Sequence, residues 1–124
     1  MTDDTFRPTL YFNAQCPFCL KVKIFLIEAG LGDSVDIVEF TPGSAEEPRI
    51  KQALAVHLDK VTVPAAEVAP GEYIADSDGI ITRIAARAGI DPEGLPVLSA
   101  YKQVALDRII GLFKENAELK RQLA

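Results

Sequence analysis

The sequence predicts an α/β domain, a mixed four-stranded sheet covered by three helices in the order βαβαββα, with one further helix at the C-terminus. Three observations carry that prediction. Short β-branched and aromatic runs alternate with helical patterns through residues 1–90. A Cys-x-x-Cys pair, Cys16 and Cys19, stands where the first strand gives way to the first helix. A Pro- and Gly-rich linker, "IDPEGLP" (90–96), then precedes one long helical pattern. At 124 residues there is room for one compact core and a short appendage. The expected division is therefore 1–90 as the α/β domain and 91–124 as linker and helix.

"PTLYF" (8–12) reads as the first strand and "NAQ" as a turn. The first helix follows, with Phe18, Val22, Phe25 and Ala29 in one stripe and Leu20, Ile24, Ile27 and Leu31 in a second on nearly the opposite face. A helix apolar on two faces needs two covers, its own sheet and something beyond it. Gly30 and Gly32 end that helix, and "SVDIVEF" (34–40) is the second strand, with Val35, Ile37 and Glu39 alternating against Asp36, Val38 and Phe40. A right-handed crossover makes it parallel to the first. In "TPGSAEEP" (41–48) Ser44 precedes Glu46 and Glu47, acids favoured in a first turn, so a second helix starts there and turns Ile50, Ala53, Leu54, His57 and Leu58 inward. "VTVPAAEV" (61–68) and "EYIA" (72–75) form a hairpin around the turn "APGE". The third helix is "DSDGIITRIAARAG" (76–89), capped by Asp76 or Ser77, with Ile80, Ile81, Ile84 and Ala88 as its apolar face and Gly89 as its stop.

From about Ser99 the rest of the chain reads as one helix. Ile109, Leu112, Asn116, Leu119 and Leu123 follow alternating three- and four-residue spacing, a heptad seam with Asn116 at an a position and Glu115 and Lys120 at g and e. Two readings stay open. The seam is either an apolar face packed on the domain's own first helix or the contact of a homodimer through helix 99–123.

Composition excludes several classes of function. The chain is 48% hydrophobic and 25% charged with a net charge of −5, and it has no basic cluster to neutralise a row of phosphates, so nucleic acid is not an expected partner. No apolar run approaches the ~18 residues of a membrane span. The opening "MTDDTFRP" is acidic and polar where a secretory or organellar leader is not, which makes the expected location cytoplasmic. Cys16, Cys19 and the lone His57 are too few for a structural zinc site, so no metal is expected. In a reducing compartment a disulfide between the two cysteines should cycle rather than persist.

A cycling dithiol needs one thiol ionised near neutral pH and a second within reach. Cys-x-x-Cys at a helix start meets both needs: unsatisfied N–H groups and the positive helix end lower the first thiol from its usual ~8.5, and the second lies one turn along. Pro17 fits the first helical position, where its missing N–H costs nothing. Lys21 and Lys23 are expected to point away from the terminus and to help little. His57 and Tyr11 read as packing residues, and Glu46 and Glu47 as first-turn charges.

"LYFNAQCPFCLKVKIFLIEAG" (10–30) resembles the active-site segment of glutaredoxins and of the N-terminal domain of glutathione transferases, including the prostaglandin E synthase type 2 and dehydroascorbate reductase-like branches. "TVP" (62–64) matches the motif whose proline, after a cis peptide bond, faces the cysteines, and "IADSDGI" (74–80) resembles the segment opening the domain's last helix. The resemblance implies a thioredoxin-like fold over residues 8 to about 90, with a cis bond at Val63-Pro64. It makes residues 91–124 the remnant of a longer transferase helical domain.

Activity and ligand follow from the same resemblance. It implies a glutathione-dependent thiol–disulfide oxidoreductase with Cys16 as nucleophile, Cys19 as resolving thiol and glutathione as co-substrate, acting on disulfides or glutathionylated substrates. Val63 and Pro64 would hold the cysteinyl backbone of glutathione, Ser77 and Asp78 its γ-glutamyl carboxylate, and Asp76 or Asp78 its amino group. A lysine common before the cysteines in glutaredoxins is replaced here by Asn13, Ala14 and Gln15, which leaves Lys60 or Arg49 for the glycyl carboxylate. The alternatives are a non-catalytic glutathione-binding or dimerisation module and a dimer bridged by a [2Fe–2S] cluster through Cys16 of each chain and two glutathiones.

Overall fold

The computed structural model describes residues 6–124; Met1–Thr5, part of the acidic opening read above for location, lie outside the described residues. Strand β1 (Thr9–Asn13) is central, in the order β2-β1-β3-β4. It runs parallel to β2 (Asp36–Phe40) and antiparallel to β3 (Ala65–Ala69), which turns back as β4 (Glu72–Ile74). Helix α1 (Pro17–Glu28) is the crossover between β1 and β2, α2 (Glu46–Ala55) follows β2, and α3 (Ser77–Ala88) follows β4. The βαβαββα order and the mixed four-stranded sheet expected from the sequence are thus present.

Alternation along β1 splits the core in two. Leu10 and Phe12 join Val22, Phe25, Ile80 and Ile84 beneath α1 and α3, while Tyr11 packs with Phe40, Ile50, Leu54 and Ala65 on the α2 side. Asp76 caps α3 by accepting the Gly79 N–H at 3.1 Å, and Gly89 ends it with φ 71°, a left-handed conformation that glycine adopts without a Cβ penalty.

Several local expectations are corrected. Ile37 is exposed, because β2 is the edge strand of the sheet. Helix α2 stops at Ala55, so His57 lies in the following turn, exposed and stacked on Tyr73 with ring centroids 4.0 Å apart, and Ala53 also faces solvent. Ser44 is not its cap: Ala45 stands there, and the Glu47 carboxylate reaches back to the Gly43 N–H at 2.9 Å. Strand β3 begins only after the bend around Pro64, and Ala88 is exposed at the end of α3. On α1 the buried set is Cys19, Lys21, Val22, Phe25 and Leu26, whereas Leu20 and Ile27 of the second stripe are exposed.

The C-terminal helix starts at Pro96, earlier than expected. It runs without a break through α4 (Pro96–Ala100), a π-wound stretch (Tyr101–Leu106) and α5 (Asp107–Leu123). Only its first half is a cover for α1. Leu98 and Leu106, 2% and 4% exposed, are buried there, yet eight residues of α-helix would leave them roughly 80° apart. The wider π turns absorb about one extra residue and bring both onto one face. By contrast α5 buries no side chain, and Leu112, Leu119 and Leu123 of the seam are exposed, so beyond Ile109 the seam is not packed on α1. No helix of the described residues is long and apolar enough to cross a membrane.

One carboxylate fixes where the C-terminal helix begins. Glu28, at the end of α1, accepts the Val97 N–H at 2.7 Å and the Leu98 N–H at 2.8 Å, satisfying two of the free first-turn donors of α4. Glu28→Ala is expected to lower folding stability by about 1–2 kcal/mol, read as a reduced urea midpoint. Hydrogen exchange should quicken through residues 96–106 while the amides of β1 and β3 stay protected.

Candidate active site

The turn Asn13–Gln15 brings the chain from β1 into α1. The Asn13 side chain accepts the Gln15 N–H at 2.8 Å, and the Cys16 N–H is bonded to the Asn13 carbonyl at 3.2 Å. This leaves Cys16 as the N-cap of α1 in extended conformation (φ −96°, ψ 124°), with Pro17 at the first helical position. Cys16 is partly exposed. Cys19, one turn on, is 1% exposed, and its Sγ accepts the Asn13 N–H at 3.4 Å.

The two thiols are driven apart in acidity. Cys16 falls from 9.0 to about 6, chiefly because the Cys19 thiol hydrogen-bonds to it, with the Cys19 and Phe18 backbone N–H groups helping and partial burial opposing. Cys19 is pushed up, first by its bond to Cys16, then by burial. One exposed thiolate beside one buried thiol is the outcome at neutral pH. The Tyr101 phenol donates to the Pro17 carbonyl at 2.6 Å, and burial, then the Cys16 charge, holds it above its usual range. Tyr101 and Ile109 thereby wall a pocket of about 230 Å³ against Cys16 and Leu20.

A second, larger cleft of about 480 Å³ lies between the bend at Val63-Pro64, the first turn of α3 and the C-terminal helix. The Val63-Pro64 bond is cis, as expected. Val63, Pro64, Asp76, Ser77 and Asp78 all line this cleft, so five of the six expected ligand residues are brought together. Lys60 is exposed and not among the lining residues, and Arg49 is paired with Glu46 at 3.6 Å. The α3 side chains already have partners. Asp76 accepts the Gly79 N–H, Ser77 is nearly buried with its hydroxyl 3.3 Å from the Lys21 Nζ, and Asp78 forms an ion pair with the same ammonium.

From the sequence, Lys21 is expected to point away from the helix terminus and to help little, with no partner named for it. Instead it is 4% exposed, its ammonium bridging α1 to the first turn of α3. The signal was in the sequence: three residues after Phe18 and four before Phe25, it falls on the first apolar stripe. Lys102, Leu106, Asp107 and Ile110 also line the large cleft, and no sequence motif marked them. Among the described residues, no group of three or more His, Cys, Asp and Glu side chains is arranged to hold a metal ion.

Residues 15–87 match the family model described as the glutathione S-transferase N-terminal domain. Among solved structures, the fold is similar to a glutathione S-transferase from the Antarctic clam Laternula elliptica, with a TM-score of 0.50 and 19% identity over 66% of this chain and 35% of that one. Glutathione transferase Omega 2C from Trametes versicolor aligns with a TM-score of 0.46 and 23% identity over 86% of this chain and 46% of that one. The chain thus spans less than half of either protein. Among curated proteins no relative matches.

Two measurements check the site. Alkylation of Cys16 by iodoacetamide should rise with pH around a midpoint of about 6, because only the thiolate reacts; in urea the midpoint should return toward the usual ~8.5. Asp78→Asn should destabilise the fold more than Lys21→Met, since the first leaves a buried ammonium without its counter-charge and the second removes the buried charge itself. A reversed order in urea unfolding would refute this account of the Lys21 bridge.

Proposed function

Because the chain belongs to the glutathione S-transferase N-terminal domain family, we propose that it is a glutathione-dependent thiol–disulfide oxidoreductase. The observation that carries this reading is the pair of unequal thiols: Cys16 partly exposed and held near 6, Cys19 buried and protonated behind it. The Cys16 thiolate attacks the glutathione sulfur of a mixed disulfide, forms Cys16–S–SG and releases the substrate as a thiolate that takes up a proton. A second glutathione thiolate then attacks Cys16–S–SG, giving oxidised glutathione and free Cys16. On a protein disulfide, Cys19 loses its proton and displaces the substrate from Cys16, and two glutathiones reduce the resulting Cys16–Cys19 bond.

Glutathione would lie in the cleft of about 480 Å³, its cysteinyl backbone along Val63. No turn or loop backbone bond engages Val63 among the described residues, which leaves its polar groups for a strand-like contact. The free first-turn N–H groups of α3 suit a carboxylate. A reducing, glutathione-rich cytoplasm suits this chemistry, and residues 91–124 are read as the remnant of the family's helical domain. Conjugation of electrophiles is the lesser activity in this reading, because the pocket beside Tyr101 holds only about 230 Å³.

A second reading, a dimerisation module, is favoured by one observation: the seam residues Leu112, Leu119 and Leu123 are exposed. It predicts a concentration-dependent sedimentation coefficient that Leu112→Glu and Leu119→Glu abolish.

Reduction of a glutathione mixed disulfide tests the leading reading. Cys16→Ser should abolish turnover, on the order of 10³-fold or more. Cys19→Ser should keep it while losing reduction of protein disulfides. Turnover surviving in Cys16→Ser defeats the reading. A colourless anaerobic preparation sinks the [2Fe–2S]-bridged alternative.

A further inference from the structure

Glutathione presents, at its γ-glutamyl end, an amino-acid head: a carboxylate and an ammonium on one carbon. A receptor for such a head needs a cation and an anion side by side. On the α3 side the charged side chains are committed, Asp78 to Lys21 and Asp76 to the Gly79 N–H. The opposite wall of the same cleft carries Lys102 and Asp107, and among the described residues neither enters an ion pair.

The winding of the helix is what brings these two together. Five residues of α-helix would turn Asp107 about 140° away from Lys102. Here the Asp107 N–H bonds to the Lys102 carbonyl, five residues back, so the two stand one turn apart and both line the cleft. We propose that Lys102 and Asp107 form the receptor for the amino-acid head, Lys102 pairing with its carboxylate against the first turn of α3 and Asp107 with its ammonium. The assignment rests on the glutathione reading above.

The test uses the full chain carrying Cys19→Ser and measures the second-order rate at which the Cys16 thiolate displaces glutathione from oxidised glutathione, leaving Cys16–S–SG. The disulfide of cysteinylglycine, which has the same sulfur chemistry and no γ-glutamyl head, is the comparison. Lys102→Met should slow the glutathione reaction about tenfold, Lys102→Arg should restore most of the rate, and the cysteinylglycine reaction should be unchanged in both. Asp107→Asn separates a receptor from bulk charge attraction. Removing an anion would speed attack on anionic oxidised glutathione if only bulk charge mattered, whereas loss of the ammonium partner slows it. An unchanged glutathione rate in Lys102→Met, an equal loss with both disulfides, or a faster Asp107→Asn overturns the receptor while leaving the functional reading intact. A chain without either substitution that shows no preference for oxidised glutathione overturns the functional reading and the receptor together.

Discussion

Burial of the Lys21 ammonium is the constraint on which the site depends. An ion withdrawn from water costs several kcal/mol unless it is paired and hydrogen-bonded, and the partners available to Lys21 are Ser77 and Asp78 in the first turn of α3. β4 runs parallel to β1, so α1 and α3 start at the same end of the sheet, and the Lys21 bridge ties those two starts together. Cys16 caps the first of these helices and Asp76 the second. A partly exposed thiol and a helix start with free N–H groups thus share one side of the molecule, and one cation spans the two helices that carry them.

The C-terminal helix is fastened to this frame at two points that differ in kind. Glu28 caps its first turn, and Tyr101 ties its second to the Pro17 carbonyl, next to the nucleophile. Between and beyond these ties the helix serves two clefts. Tyr101 and Ile109 face Cys16, while Lys102 and Asp107 line the cleft at α3. A regular α-helix fastened at Leu98 could not bury Leu106 and also present Lys102 and Asp107 together, and the π winding reconciles these demands.

Much of this was legible in the residues. Strand and helix order, the capping by Asp76, the stop at Gly89, the cis bond at Val63-Pro64 and the grouping of Val63 with Asp76, Ser77 and Asp78 follow from local chemistry and a family resemblance. What escaped was set by distant partners. Lys21 stands on the first apolar stripe, but its partner is invisible until α3 supplies an anion, and Glu28 looks like a last-turn acid until α4 offers free N–H groups. The π winding has no compositional mark, because it answers the spacing of Leu98 and Leu106 against α1. His57 fell outside α2 because helix ends are decided by a residue or two.

The unbroken helix from Pro96 to Leu123 also divides the molecule thermodynamically. Up to Leu106 its backbone hydrogen bonds open only when the core contacts of α1 are given up. Beyond Ile110 every residue is exposed and the helix rests on local terms, the Glu118–Arg121 ion pair and the Gln122–Glu118 bond among them, and a stretch with so little support is marginal in water. One rod of continuous geometry thus has two melting regimes. Its outer turns exchange as a coil-helix equilibrium of their own, coupled to the two clefts through the turn that runs from Leu106 to Ile110.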